Sequence, residues 1–454
     1  MSERVVGEFK LMRFSLSNGN AERDIMDFVE SFSIKESIHE GYISGSAAIV
    51  DATNLPQNFP IQGQEVVTIE YEDYFGKVNK EQYFLYSLQH DEMLFNENDQ
   101  KQTYTIFFCS IPKLIAATKS VQRAFEGPVS EAANNLFQEY FSELDVFSDE
   151  PKEIEVEPTD GLQRLAIPSY DPIEAMHFLS RNSYTSARSS AFKFFETREK
   201  YFFATPEFFI EKYMEESAAA KDMFEQRMFF TTSEPEALPG NVNVKMAQIL
   251  GLKFGTRVNT ISDLNNNTYA RKVVELDVNH REVTATSYRF PQDMYQYFPD
   301  TELFPRHDES FIESLFKDEP EYFTIKDWTL KPGAMRPNPE HPTIVGPKAM
   351  QLHQESANQI EIHIHGRNTI NAGTVIDLTI PKFEQRNSVE KDEERSGWYF
   401  VVSVNNEFIG NTYRQSLVLA RPGNTESLSN NNWPQIPEPK GESNISTESY
   451  YGPF

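Results

Sequence analysis

The chain has 454 residues, 39% of them hydrophobic, with 36 Phe and 20 Tyr, which predicts two to four domains with ample material for cores. Its formal charge of −27 repels nucleic-acid backbones and excludes a sequence-reading DNA binder; solubility, a basic partner, or a conduit that DNA crosses without sticking all remain compatible. A single cysteine, Cys109, excludes an intrachain disulfide and a Cys-rich metal site, and no apolar run approaches the length of a membrane span, so no membrane insertion is expected. The opening residues carry no signal-peptide core, and the expected product is soluble and made in the cytoplasm.

The first 110 residues read as six short alternating strands. They are residues 5–16, Phe28–Ile34, Tyr42–Val50, Val66–Asp73, Gln82–His90 and Thr103–Cys109, with Gly and Asx turns between them. Six such strands predict a small closed β-barrel, which removes exposed sheet edges. Cys109 ends the apolar run Ile106–Cys109 and is expected to be a packed core thiol. The period then changes. Ser130–Phe141 places Ala133, Leu136, Phe137, Tyr140 and Phe141 on one helical stripe, with Ser130 as expected N-cap. Asp171–Arg181 is a second helix, with Asp171 as cap and Pro172 at the first helical position. Phe192–Phe195 and Tyr201–Phe203 form a hairpin around a charged turn, Glu196–Lys200. Residues 113–205 are therefore expected to be an α+β insertion.

Further on, Tyr269–Asn279 and Val283–Tyr288 read as paired strands, whereas Lys245–Leu252 shows no clear period and fits a strand or a short helix. Residues 305–321, charged and holding two Pro, read as loop or short helix. A helix over Ala349–Asn358 leads into the strand Ile360–His365, which opens a second barrel-like unit running to Ala420. Residues 422–449 are rich in Pro, Asn, Ser and Glu and predict an extended tail, tipped by the aromatic run Tyr450–Phe454.

An internal repeat links the two ends. Tyr83-Phe84-Leu85-Tyr86-Ser87 is echoed by Tyr399-Phe400-Val401-Val402-Ser403. A glycine turn precedes each, at Gly63 and Gly373, and feeds an alternating strand from Val66 or Val375. Another strand follows each, at Gln102–Ile106 and Gln415–Leu419. Glycine and serine lie about 24 residues apart in one copy and about 30 in the other, a difference that loops absorb. Three matches in one order predict two copies of one antiparallel β-unit.

The chemistry-bearing residues point away from catalysis. His363 and His365, with His341 and His353 upstream, have strand spacing that two metal ligands would use, but alternation with Ile362 and Ile364 makes them the polar face of a strand. No pair of carboxylates has glycosidase spacing, and Glu390–Glu394 reads as exposed charge. There is no G-x-S-x-G elbow, P-loop or dinucleotide glycine pattern. The aromatic run Phe192, Phe194, Phe195, Tyr201, Phe202, Phe203, Phe208 and Phe209 would suit base stacking in a nucleic-acid protein; at this net charge it reads as core or subunit interface. No catalytic residue, metal site or cofactor is assigned.

The same residues resemble the baseplate hub proteins of T-even-like contractile-tailed phages, a family shared with phage-like secretion systems. The likeness is carried by Phe28-Val29-Glu30 followed by Ile34–Gly41, a strand closing on Asp51, and Gly63-x-Glu65-x-x-x-Ile69. Near the other end it is carried by Met350-Gln351-Leu352, Ile370–Ile376 and Tyr399-Phe400-Val401-x-x-Val404 with Asn405-Asn406-Glu407. It covers roughly 28–110 and 347–421. The resemblance implies a mainly β fold with an α+β insertion, in which two similar antiparallel barrels per subunit build, in a homotrimer, a pseudo-sixfold torus. The domains expected are 1–112, first barrel; 113–205, insertion; 206–346, mixed β region; 347–421, second barrel core; and 422–454, tail. The implied role is a structural, non-enzymatic symmetry adapter of the virion baseplate, between tail tube and spike, with other baseplate proteins around it and genomic DNA in transit. Trp433, Tyr450, Tyr451 and Phe454 are the candidates for docking the spike. The rival readings are a tail-associated cell-wall hydrolase, a carbohydrate-binding β-protein and the hub of a phage-like injection system.

Overall fold

The computed structural model describes residues 6–53, 55–95, 100–141, 152–186, 189–219, 227–229, 246, 248–255, 261, 270–277, 282–289, 302–303, 321–325, 348, 350–352, 358–380, 392, 395–421, 423–424 and 447–450. The amino-terminal part forms strands β1 (Lys10–Ser17), β2 (Glu22–Asp24), β3 (Val29–Ser37), β4 (Ser44–Asp51), β5 (Val66–Glu72), β6 (Val78–Phe95) and β7 (Gln100–Cys109). A single helical turn, α1 (Leu55–Asn58), lies between β4 and β5. The next part holds α2 (Ile111–Ala117), β8 (Val121–Gly127), α3 (Val129–Tyr140), β9 (Ile154–Val156), β10 (Gln163–Tyr170) and α4 (Pro172–Arg181). It ends with β11 (Lys193–Glu196), β12 (Tyr201–Ala204) and α5 (Pro206–Ala219). Then come β13 (Arg227–Phe229), β14 (Ile249–Phe254), β15 (Ala270–Asp277), β16 (Glu282–Arg289), β17 (Glu302–Leu303) and β18 (Glu321–Ile325). The last part is β19 (Gln359–His365), β20 (Val375–Thr379), β21 (Gly397–Ile409), β22 (Thr412–Ala420), β23 (Gly423–Asn424) and β24 (Thr447–Tyr450).

One thirteen-stranded sheet runs through both ends of the chain, along β14-β19-β22-β21-β3-β4-β7-β6-β5-β1-β2, with β20 and β13 branching from β21. Within it, β4, β5, β6 and β7 are arranged as β19, β20, β21 and β22 are: the first and last strands pair, and the third pairs with both the second and the fourth. The registers agree step by step from Phe84 and Phe400 through His90 and Asn406, after which β6 alone bulges again, between His90 and Glu92. Phe84 pairs with Val66 on one side and Cys109 on the other; Phe400 pairs with Val375 and Ala420. Each strand then bulges by one residue before its serine, between Leu85 and Ser87 and between Val401 and Ser403. A bulge bends and twists a strand; it falls just past the last pair with β5 in β6, and between the pairs with β20 and those with β3 in β21. The Tyr-Phe-x-x-Ser echo is thus the sequence trace of a shared bend.

The equivalence extends one strand outward. In β3 a bulge lies between Val29, opposite Ile49, and Ser31, opposite Ala48. In β14 a bulge lies between Ile249, opposite Ile364, and Gly251, opposite His363. Ile49 and Ile364 are themselves equivalent, because they pair with Tyr104 and Gln415 at matching steps. Beyond this the copies diverge: β1 runs antiparallel to β5, whereas β13 runs parallel to β20.

The expected closed barrels are corrected. Among the described residues no pairing closes either unit. The reason lies in β21, whose edge beyond β20 is taken by β3 of the other unit, from Ser403–Ser37 to Ile409–Ser31, so the two units merge into one open sheet.

Alternation explains the burial. Phe14, Leu16, Phe32, Ile34, Val67, Ile69, Leu85, Ile106 and Phe108 form the core of the first unit, and Ile360, Ile362, Ile364, Ile376, Leu378, Val401, Leu417 and Leu419 that of the second. Cys109 is buried. The insertion has its own core, from Ala133, Leu136 and Phe137 of α3, Ile173, Met176 and Leu179 of α4, and Phe192, Phe194, Tyr201 and Phe203 around β11 and β12. Asp171 caps α4 through the Glu174 N–H at 2.9 Å, as its sequence predicts. Ser130 does not cap α3: Pro128 occupies that position, and the Ser130 N–H donates instead to Thr159 Oγ1 at 2.9 Å. α5, which has no counterpart among the elements expected from sequence, opens with Pro206, and its Phe208 N–H donates to Thr205 Oγ1 at 3.3 Å. β15 and β16 pair antiparallel as expected, and β14 settles 249–254 as a strand. The helix expected over 349–358 is described at 350–352, and 305–320 lies outside the described residues.

Candidate functional site

The junction of β3 and β21 brings the two units and the insertion together around a buried polar core. Inward alternation on β3 places Glu36 in line with Phe32 and Ile34, where it is fully buried. A buried carboxylate needs a counter-charge. Arg198 supplies it from the β11–β12 turn: Nε donates to Glu36 Oε1 at 2.8 Å, and the Ala372 N–H donates to Glu36 Oε2 at 3.3 Å. The turn Glu196–Lys200 is therefore not merely a solvated charged turn. The Arg198 side chain is 8% exposed, and Glu196 is 1% exposed.

Arg198 also reaches side chains from both units. Its Nη1 donates to Tyr71 Oη at 3.1 Å and to Asn368 Oδ1 at 3.2 Å, and its Nη2 donates to Asn371 Oδ1 at 3.4 Å. Asn368 is the shared acceptor, taking hydrogen bonds from Tyr71 Oη (3.0 Å) and Tyr413 Oη (3.2 Å) as well, while its Nδ2 donates to Asp73 at 2.8 Å. Tyr413 Oη donates to Asn406 Oδ1 at 2.7 Å, and Asn406 Nδ2 donates across the junction to the Ile34 carbonyl at 3.1 Å. Gln415 Nε2 completes the chain at Asn406 Oδ1 (2.9 Å) and the Arg367 carbonyl (2.8 Å). Burial works against the Arg198 charge, but Tyr413, Tyr71, Glu36 and Glu81 around it hold its pKa well above the ordinary value. Burial likewise pushes the phenols of Tyr71 and Tyr413 up, so both remain neutral donors.

Apolar stacking seals the same place. Phe32 and Phe408 stack across the junction at 4.3 Å, Phe408 stacks on Tyr413 at 4.3 Å, and Phe9 meets Phe408 edge-on at 4.9 Å. The chain before β1 clamps the β21–β22 hairpin, with the Phe9 N–H on the Asn411 carbonyl and the Tyr413 N–H on the Gly7 carbonyl. A second buried anchor ties the insertion to the first unit: Glu196 accepts from Lys152 Nζ (2.7 Å), Ser110 Oγ (2.5 Å) and the Ile43 N–H (3.2 Å). Hydrogen-bonded charges, neutral phenols and stacked rings form a rigid joint. No nucleophile is activated in it.

The aromatic run of the insertion is core. Phe194 stacks on Tyr201, Phe195 on Phe202, and Phe209 meets Phe400 of β21 at 5.7 Å. His363 and His365 lie on one face of β19 opposite buried Ile362 and Ile364; His363 is exposed beside Glu361. His341 and His353 lie outside the described residues, and among those described no group of three His, Cys, Asp or Glu could hold a metal. Among the described residues no helix is long and apolar enough to cross a membrane. Of the spike-docking candidates, Tyr450 ends β24, which pairs antiparallel with β16 and sets Tyr450 opposite Val283. Trp433, Tyr451 and Phe454 lie outside the described residues. The signal for the residues of the joint was an acid at an inward strand position and an arginine between two short Phe-rich strands.

No family model matches the chain, and no curated protein does. Solved structures do. The tail protein from Neisseria meningitidis MC58 superposes with a TM-score of 0.50 at 9% identity, over 91% of this chain and 97% of its own. The 43 kDa tail protein of prophage MuSo2 from Shewanella oneidensis gives 0.48 at 10% identity, over 90% and 98%. An Escherichia coli component of the type VI secretion system, described as similar to the T4 tail proteins gp27 and gp5, gives 0.41 at 7% identity, over 91% and 76%. The chain shares its fold, mostly β and built on antiparallel sheets, with the Neisseria tail protein; at 9% identity the likeness is one of fold.

Proposed function

We propose that this protein is a structural component of a contractile tail or phage-like injection machine, the central hub of its baseplate. In this reading three copies form a ring, and each contributes two equivalent β-units, so that six near-identical lobes meet the six-fold tube while three subunits meet the three-fold spike. The observation that carries the reading is the doubled unit, with its bulges at matching registers on β6 and β21 and on β3 and β14. A rigid joint suits the role, since the two units of one chain must hold a fixed angle for six lobes to be equivalent. The Glu36–Arg198 network supplies that rigidity. The net charge of −27 fits a wall past which DNA moves without multi-phosphate binding.

The protein is not an enzyme in this account and holds no cofactor. The domain plan assigns 1–112 and 347–421 to the ring, 113–205 and 206–346 to its periphery, and 422–454 to a tail that docks the spike through Trp433, Tyr450, Tyr451 and Phe454. The mature location is the virion baseplate, and surrounding baseplate proteins contact the periphery. Mass measurement of the purified chain tests the reading: three chain masses are expected, and a strict monomer at micromolar concentration contradicts it. Replacing Tyr450, Tyr451 and Phe454 with Ser is expected to weaken co-purification with the spike, and unchanged recovery refutes the docking assignment. Incubation with peptidoglycan is expected to release neither sugars nor peptides.

A further inference from the structure

The last described segment of the chain is held by the fold. β24 lies along the outer edge of a four-stranded sheet, in the order β18-β15-β16-β24. Its residues Thr447, Glu448, Ser449 and Tyr450 stand opposite Thr286, Ala285, Thr284 and Val283 of β16. Tyr450, which the docking assignment above needs, is thus engaged within its own chain.

The two sides of that pairing are mismatched. β16 has the build of an interior strand. Neighbouring residues of a strand face opposite ways, and Ala285 (5% exposed) and Thr286 (7%) are both buried, so β16 is covered on both faces. From Val283 to Tyr288 it holds no charged residue, and a bare edge of that kind recruits other strands unless something covers it. The cover is weak. At the far edge of the sheet, β18 meets β15 with Tyr322, Phe323 and Ile325 among its paired residues. In β24 the residues opposite buried Ala285 and Thr286 are Glu448 and Thr447, and Tyr450 is its one large apolar residue. The chain reaches this strand through residues 425–446, which are rich in Pro, Asn, Ser and Glu. A short, mostly polar strand at a sheet edge belongs to the low-stability end of a structure, where local opening comes first.

We propose that β24 is a latch: residues 447–450 close the edge of β16 in the free protein, and a partner that takes the tail must first draw them off. The proposal rests on the docking role given to the tail above and adds a gate to it. With the latch shut, Tyr450 is spent on β16. With it open, Tyr450 is free beside Tyr451 and Phe454, and the edge of β16 is bared at the same moment. A tail that is latched most of the time binds its partner with an affinity lowered by the fraction that is open.

Two full-length variants test it, both made with Cys109→Ala. Thr284→Cys with Ser449→Cys puts the cysteines directly opposite each other, at a Cα spacing of about 4.5–5.5 Å that a disulfide spans. Oxidation is expected to form this bridge within one chain and to lower co-purification with the spike about tenfold or more, with reductant reversing the loss. Thr447→Pro with Glu448→Pro removes one ladder donor whichever of the two N–H groups faces β16. Hydrogen exchange over 282–289 is then expected to quicken about tenfold or more. Three results each overturn the latch: cysteines that do not bridge, exchange over 282–289 that the prolines leave unchanged, and a bridged chain that recovers the spike as well as the reduced one. A Cys109→Ala parent that recovers no spike overturns the docking reading instead, and bridging and exchange then decide the latch by themselves.

Discussion

Replacing Arg198 with Met is the sharpest test of the joint. The substitution keeps a long apolar stem of similar reach but removes the only charge 2.8 Å from Glu36, a carboxylate with no solvent exposure. It also strips one donor each from Tyr71 and Asn368. Breaking a buried ion pair by deleting one partner costs about 3–5 kcal/mol, because the remaining charge must be neutralised or left uncompensated. Tyr71 and Tyr413 still donate to Asn368, so these neutral bonds add little beyond that figure. Removing both charges, with Arg198→Met and Glu36→Gln together, is expected to recover at least half of the loss, since an uncharged pair leaves no stranded carboxylate. Urea unfolding followed by tryptophan fluorescence and by circular dichroism measures both variants. A single-variant loss below about 1 kcal/mol, or a double variant costing the sum of two singles, refutes the reasoning.

Three further outcomes follow from the same geometry. Gly373 has φ +88° and an added Cβ would stand 3.1 Å from the Phe195 ring, while a Cβ on Gly45 would lie 2.2 Å from Phe108. Gly373→Ala and Gly45→Ala are each expected to cost about 1–3 kcal/mol in denaturant unfolding, and a neutral result at either denies the packing described. Burial, and secondarily Arg181, lowers the His177 pKa to about 4, with Lys113, Lys193 and Asp171 also facing it. A folded pKa below the unfolded value of about 6.5 gives stability that is present above that pH and lost as pH falls toward 4. His177→Gln is expected to remove about 3 kcal/mol of that acid sensitivity between pH 7 and 4 in thermal unfolding. Cys109 is 5% exposed and burial pushes its thiol up to about 11, so thiol reagents are expected to label it only after unfolding; rapid native labelling contradicts its place at the end of β7.

Much of this architecture was legible because a bulge leaves a local signature. Tyr-Phe-x-x-Ser survives in both copies where the strand bends on leaving its first neighbour, and Gly63 and Gly373 both hold positive φ before the second strand. Other equivalences were hidden by compensation. Gly45 under Phe108 in one unit corresponds to Ile360 beside Leu419 in the other, so volume is kept while both residue types change. The strand at β14 was ambiguous because its bulge at Leu250 breaks the two-residue period. The merger of the units was unreadable for a different reason: the Ser37–Ser403 pairing joins residues at opposite ends of the chain, and no local pattern records which edge meets which. Arg198 reads as a turn charge because turns with four charges are usually solvated, and only the tertiary fold places Glu36 above it.

An electron-microscopy reconstruction of the purified full-length chain tests the central claim most directly. The account predicts a three-fold particle with six matching lobes, in which strands around Ser87 and Ser403 overlay under a sixty-degree turn. A monomer, or a ring whose alternate lobes do not superpose, contradicts it.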